Sequence, residues 1–158
     1  MINKKTTDIL LYIVSAEVAG LVSALLSGDF SSFFTKYDEP PLLPPSWLFP
    51  VVWVILYALM GYSAYRIDAS SADRKDKRRA LTVYWSQLLV NFSWSIIFFR
   101  FEALILSSAV IVALLALIVL MIILFYRIDK IAAKLNIPYL AWVAFATHLN
   151  IATAIINR

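Results

Sequence analysis

The chain has 158 residues, 62% of them hydrophobic and 15% charged, with a mean hydropathy of +0.81, whereas a soluble domain of this size is about half apolar and about a quarter charged. That excess of apolar side chains excludes an ordinary water-soluble domain. With no cysteine and one histidine, disulfides, thiol catalysis, zinc sites and paired-histidine haem ligation are excluded too, and the net charge of +4 belongs to the loops and implies no acidic substrate.

Bilayer hydrocarbon is about 30 Å thick and a helix rises about 1.5 Å per residue, so each crossing needs roughly 20 mostly apolar residues. Five stretches qualify: 9–26, 46–65, 80–99, 103–126 and 136–156. The sequence therefore predicts an all-α polytopic membrane protein, a bundle of five transmembrane helices forming a single domain over residues 1–158. The first stretch follows Lys4 and Lys5 as a signal peptide would, but it is long, holds Glu17 and lacks a small-x-small cleavage site, so it reads as a retained helix. The long connection from Gly28 to Pro45 reads as a lid. Five of the six prolines lie between Pro40 and Pro50, in PPLLPPSWLFP, where they stiffen that loop and preset the start of the second helix. Arg100 and Glu102, in the tight turn after the third stretch, read as a surface pair of little energetic weight. Asn136 is placed to cap the fifth helix, which Pro138 opens.

Lysine and arginine set the orientation. One side carries Lys4, Lys5, Arg66, Arg74, Lys75, Lys77, Arg78, Arg79, Arg127, Lys130 and Lys134, and the other Lys36, Arg100 and Arg158. This bias puts the amino terminus in the cytoplasm and the carboxyl terminus outside. The basic run from Arg74 to Arg79 reads as that orientation signal, not as a nucleic-acid or anionic-lipid site.

Polar side chains inside hydrocarbon face the bundle interior, because lipid offers them no hydrogen-bond partner. In the third helix Gln87, Asn91, Trp94, Ser95 and Phe98 form one helical stripe, and in the fifth Trp142, Ala146, Leu149, Asn150, Thr153 and Asn157 do the same; in the second, Phe49 or Pro50, Trp53, Tyr57 and Met60 or Gly61 form a mostly aromatic one. Three seams of indoles and amides describe a pocket for a large, flat, mostly apolar ligand. Ordinary helix packing is the other reading, with Trp47 and Tyr139 near helix ends, where belt aromatics belong. Glu17, the one carboxylate well inside a span, is protonated or partnered; it reads as a neutral acid bonded to a neighbouring helix or the lid backbone, or else as a proton-coupling or ligand contact. His148 lies off the Trp142 stripe and reads as facing another helix or a second subunit. No nucleophile–base–acid set, paired carboxylates or phosphate-binding loop is present.

PPSWLFPVVWVILYALMG from Pro44 to Gly61, NFSWSIIFF from Asn91 to Phe99 and PYLAWVAFATHLN from Pro138 to Asn150 resemble the second-, third- and fifth-helix signatures of the translocator protein family, also called TspO/MBR or the tryptophan-rich sensory proteins. The resemblance covers the whole chain and implies a bacterial cell-membrane member, a homodimer that binds porphyrins such as protoporphyrin IX, sterols or synthetic flat ligands under the first loop, with no covalently bound cofactor. It places Trp53, Asn91, Trp94, Trp142, Ala146 and Leu149 on pocket positions, and Trp47, Phe49 and Tyr57 complete the candidate ligand-binding set. Because some bacterial members are similar in promoting light- and oxygen-dependent porphyrin breakdown, it also implies a catalytic part for Trp53 and Trp142. The chain departs from the family in having Phe33 and Phe34 in place of a Trp-Tyr pair, Glu39 in place of a Lys, and Ile151 where the sterol pattern of animal members needs a Tyr; sterol transport is not carried over. The alternatives are a transporter of porphyrins or other hydrophobic molecules and a proton-coupled exporter using Glu17. The fourth stretch, almost wholly aliphatic, is the candidate for lipid or dimer contact.

Overall fold

The computed structural model describes residues 3–28, 33 and 35–157; Phe34 and Arg158 lie outside the described residues. Helix α1 runs over Lys4–Ser27, α2 over Leu48–Asp68, α3 over Arg74–Ser95, α4 over Leu104–Ile128, the short α5 over Lys130–Lys134 and α6 over Ile137–Ile156, with a π-helical turn, Ile96–Arg100, continuing α3. The five long helices form an all-α membrane bundle.

Among the described residues four segments, α1, α2, α4 and α5 with α6, are long and apolar enough to cross a bilayer. α3 falls short of that measure because it begins six residues before the predicted stretch, its first turns being the basic run from Arg74 to Arg79, and because it carries Gln87 and Asn91 inside. Its uncharged part, residues 80–99, still spans about 30 Å at helical rise.

Local chemistry fixes the ends. Asn3 caps α1, its side chain accepting from the Lys5 N–H at 3.4 Å. Pro50 is the third residue of α2, where the N–H it lacks has no helical acceptor in any case, so no kink is needed. Asp129 caps α5, accepting from the N–H groups of Ile131 and Ala132 at 2.8 and 3.1 Å, and its other oxygen takes Arg66 at 2.7 Å. Asn136 departs from expectation: it starts α6 without capping it, because its amide donates to Ser63 on α2 at 2.8 Å and to the Ala132 carbonyl at 2.9 Å. A buried amide between two elements gains more from cross-links than from a cap that Pro138 makes partly redundant.

Around the bundle the order is α2, α1, α3, α4, α6. α1 lies on α2 through small residues. A Cβ on Gly61 would sit 2.6 Å from the Ile13 Cα, and one on Gly20 would sit 2.2 Å from the Tyr57 ring, so the two backbones approach as only glycine permits. α1 buries Ala16, Gly20, Ser23 and Ser27 and turns large aliphatics outward. α4 is the core column: Ile111, Leu114, Ile118, Met121 and Phe125 are buried against α3 and α6, so the fourth helix is a packing element as well as an apolar outer surface. α2 and α6 make the sparsest backbone approach among neighbours. Aromatic side chains fill that seam.

Candidate functional site

From α2, Trp53 stacks on Tyr57, with ring centres 5.4 Å apart, and meets Tyr139 of α6 edge-on at 6.3 Å. One turn earlier Phe49 meets Trp142 edge-on at 5.7 Å. These pairs bridge α2 and α6 with large, flat surfaces in the geometries that aromatic quadrupoles favour. Trp53, Phe49 and Trp142 are half-buried and Tyr57 is buried.

α3 supplies the polar groups. Tyr139 donates its hydroxyl to the Gln87 side-chain carbonyl at 2.7 Å and accepts from the Asn91 amide at 3.0 Å. Trp94 stacks on Phe98 at 5.7 Å and donates its indole N–H to the Asn150 side-chain carbonyl at 2.8 Å. Asn150 in turn donates to Ser108 at 2.8 Å and Ser107 at 3.2 Å, tying α3, α4 and α6 together. Two polar atoms of this region are buried with no partner among the described residues, the Asn91 Oδ1 and the Trp142 Nε1. A buried unpaired donor or acceptor costs about 1–3 kcal/mol, so each is a point where a hydrogen-bonding group of a ligand gains affinity.

Beneath the first loop lies a cavity of about 30 Å³ lined by Pro40 and Leu43 of the loop, by Phe49, Trp94, Phe98 and Phe99, and by Ala146, Leu149, Asn150 and Thr153 of α6. Ligand pockets measure about 300–1,000 Å³, so in this conformation the cavity beneath the loop has no room for a large ligand. Polar contacts help to hold the loop down. Asp38 donates its N–H to the Asn157 side-chain carbonyl at 2.8 Å and takes the Asn157 amide on its own carbonyl at 3.1 Å. Lys36 forms an ion pair with Glu102, whose carboxylate also accepts from the Tyr37 hydroxyl at 2.9 Å. Hydrogen bonds from Lys36 and then Tyr37 hold the Glu102 carboxyl below the usual carboxylate range, and the bond to Glu102 holds the Lys36 ammonium above the usual lysine value. Glu102 thus pairs with the loop, while Arg100 donates to the Leu26 carbonyl at 3.3 Å; the anticipated Arg100–Glu102 pair is replaced because Glu102, at φ +52°, is turned back over the loop.

Of the candidate residues, Phe49, Trp94, Ala146 and Leu149 line the small cavity, whereas Trp53, Tyr57, Asn91 and Trp142 form the adjoining aromatic seam, joined to it through Phe49. Trp47, the residue before α2, is 65% exposed and is not part of the cavity lining. Tyr139 is fully buried at the centre of the polar network, not at the interface. Glu17 is half-buried on α1 with no hydrogen bond or ion pair to another described residue, and His148 is exposed on α6. Pro40, Leu43 and Phe99 add to the lining; the π-turn re-aims Phe98 and Phe99 so that both face inward, a change of phase that no regular helical spacing signals.

The TspO/MBR family matches residues 10–156. The chain is 34% identical over 127 residues to the tryptophan-rich protein TspO of Chlorobaculum tepidum, covering 80% of each chain, and 35% identical over 149 residues to that of Archaeoglobus fulgidus, covering 89% of this chain and 95% of the relative. It is 31% identical over 137 residues to the human translocator protein, covering 81% and 76%. With four strongly apolar helices, aromatic seams on α2, α3 and α6, and this match over nearly its whole length, the chain belongs to the TspO/MBR family of integral membrane proteins.

Proposed function

We propose that this protein binds a flat, largely apolar tetrapyrrole of the protoporphyrin IX kind between α2, α3 and α6, beneath the first loop. The observation that carries the reading is the aromatic seam itself: Trp53 and Trp142 present half-buried rings between α2 and α6, whose backbones approach each other sparsely, in the region of the unpaired Asn91 Oδ1 and Trp142 Nε1. Indole faces stack on a macrocycle, and these two atoms offer an acceptor and a donor for its polar edge. The cavity of about 30 Å³ excludes a macrocycle while the loop is down, so binding includes a loop-opening step. Titration of protoporphyrin IX into the purified protein is expected to quench tryptophan fluorescence saturably, and replacing Trp53 and Trp142 by phenylalanine to remove most of that quench; an unchanged titration rejects the site.

The same seam supports a second role, promotion of light- and oxygen-dependent breakdown of the bound porphyrin, with Trp53 and Trp142 as the oxidisable side chains in contact with it. No acid–base set is needed for that chemistry. Bound porphyrin should lose absorbance under aerobic illumination faster in the wild type than in Trp142→Phe; equal rates leave binding alone. We further infer a homodimer in a bacterial cell membrane with the basic α2–α3 end in the cytoplasm, a reading that rests on the lysine and arginine distribution and on the outward aliphatic faces of α1 and α4.

A further inference from the structure

The cavity under the loop has a larger neighbour. A recess of about 390 Å³ lies at the same end of the bundle, walled by Tyr37, Glu102 and Asn157 on one side and by Leu104, Ile105 and Leu106 at the start of α4 on the other. Its two halves differ in chemistry. The polar half holds the Glu102 carboxylate with the Tyr37 hydroxyl on it at 2.9 Å, and Lys36, at the rim and outside the lining, pairs with Glu102 and lies over the Tyr37 ring at 5.4 Å. Both charges stay accessible, with the Glu102 side chain 32% and that of Lys36 58% exposed. The apolar half continues onto the outer surface, Ile105 being 75% and Leu106 56% exposed. α4 is the most apolar of the candidate spans among the described residues, and its first turn follows the charged Arg100 and Glu102, so the recess lies where polar chain gives way to apolar helix.

We propose that this recess is a headgroup site for a zwitterionic phospholipid, taking the lipid ammonium at Glu102 and the Tyr37 ring, the phosphate at Lys36, and the first acyl carbons along Ile105 and Leu106. Charge order selects the occupant. An ammonium–phosphate head matches a carboxylate–ammonium pair group for group, whereas an anionic head brings a phosphate to Lys36 but nothing cationic to Glu102, and meets like charge there. A soluble zwitterion has no use for the aliphatic wall, and a purely apolar molecule leaves the ion pair undisturbed but gains nothing from it. The recess suits a headgroup with its glycerol, the volume of a small ligand site, and not a whole lipid, whose chains would remain in the bilayer. Because Lys36 and Tyr37 belong to the first loop, an occupant bridges that loop to α4.

The test is lipid retention by the full-length protein in detergent, read by native mass spectrometry after incubation with equimolar phosphatidylethanolamine and phosphatidylglycerol. The wild type is expected to retain phosphatidylethanolamine by about three-fold over phosphatidylglycerol, a margin of the size that accessible charge pairs support. Glu102→Gln should bring the ratio to about one, whereas Lys36→Ala should lower retention of both lipids and keep the preference for phosphatidylethanolamine. Leu106→Trp, which fills the apolar half and touches neither charge, should lower retention of the preferred lipid while leaving the fold intact by size-exclusion elution. No preference in the wild type, a preference for phosphatidylglycerol, or a preference that survives both Glu102→Gln and Leu106→Trp overturns the assignment.

Discussion

Tyr139, at the start of α6, gives its hydroxyl proton to the side chain of Gln87 in the middle of α3 at 2.7 Å. The bond crosses the bundle interior, and the same oxygen takes the Asn91 amide at 3.0 Å, so one phenol satisfies two buried amides. Tyr139→Phe removes both bonds and leaves the Gln87 carbonyl and the Asn91 amide unpaired in a dry interior. The expected cost is about 1–3 kcal/mol, seen as a lower thermal midpoint of the detergent-solubilised protein, with Tyr139→Leu no milder. An unchanged midpoint in Tyr139→Phe contradicts the network.

The α1–α2 contact rests on two glycines that meet different obstacles. At Gly61 an added Cβ runs into the Ile13 Cα and the Tyr12 carbonyl oxygen, each at 2.6 Å; at Gly20 it runs into the Tyr57 ring at 2.2 Å. Backbone cannot rotate aside, so Gly61→Ala should destabilise by about 1–3 kcal/mol through separation of the helices. In Gly20→Ala the ring itself is displaced, which disturbs its stack on Trp53. Combining Gly20→Ala with Tyr57→Ala should therefore cost less than the sum of the two single changes. Strict additivity in that cycle would show that the contact is not made.

The loop latch has a definite pH dependence. Glu102 has a lowered carboxyl value, so its contribution is present above the ordinary carboxylate range and is lost as pH falls through the lowered value. Lys36 has a raised ammonium value, so its contribution is present below the ordinary lysine value and is lost as pH rises through the raised one. The latch is closed across neutral pH and opens first on the acid side. The chain has no cysteine, so a nitroxide on Leu43→Cys reports this loop alone. Its mobility should rise on acidification in the wild type and be already raised at neutral pH in Glu102→Gln; identical, pH-independent spectra in both would show that the latch does not hold the loop.

Much of this arrangement is readable from residue order, and the parts that are not have physical reasons. Helical stripes on α2, α3 and α6 follow from period and from the exclusion of amides by lipid, and they lead to Trp53, Asn91, Trp94 and Trp142. Tyr139 is misread as a belt residue because its distance from Pro138 says that it is near a helix end, while only the fold reveals that α6 begins deep against α2 and α3. Asn136 is misread as a cap for the same reason, since its partner Ser63 is 73 residues away. Phe99 is hidden by the π-turn, and the Lys36–Glu102 pair by a separation of 66 residues. Long-range pairing of side chains is the layer that periodicity does not encode.

The proposed topology rests on the charge bias that the sequence displays. Single cysteines introduced at Lys75 and at Glu39 should react on opposite faces of intact cells, with residue 39 open to an impermeant maleimide and residue 75 protected until the membrane is permeabilised. The reverse pattern, or labelling of both from outside, would overturn the cytoplasmic placement of the basic end.

The central claim is that a tetrapyrrole lies between α2, α3 and α6, and the most direct measurement is to crosslink a photoreactive protoporphyrin to the membrane-embedded protein and locate the adducts by peptide mass spectrometry. Adducts are expected only within residues 40–57, 91–99 and 139–153, competed away by unmodified protoporphyrin IX. Competable adducts on the outward faces of α1 or α4 in place of these would contradict the claim.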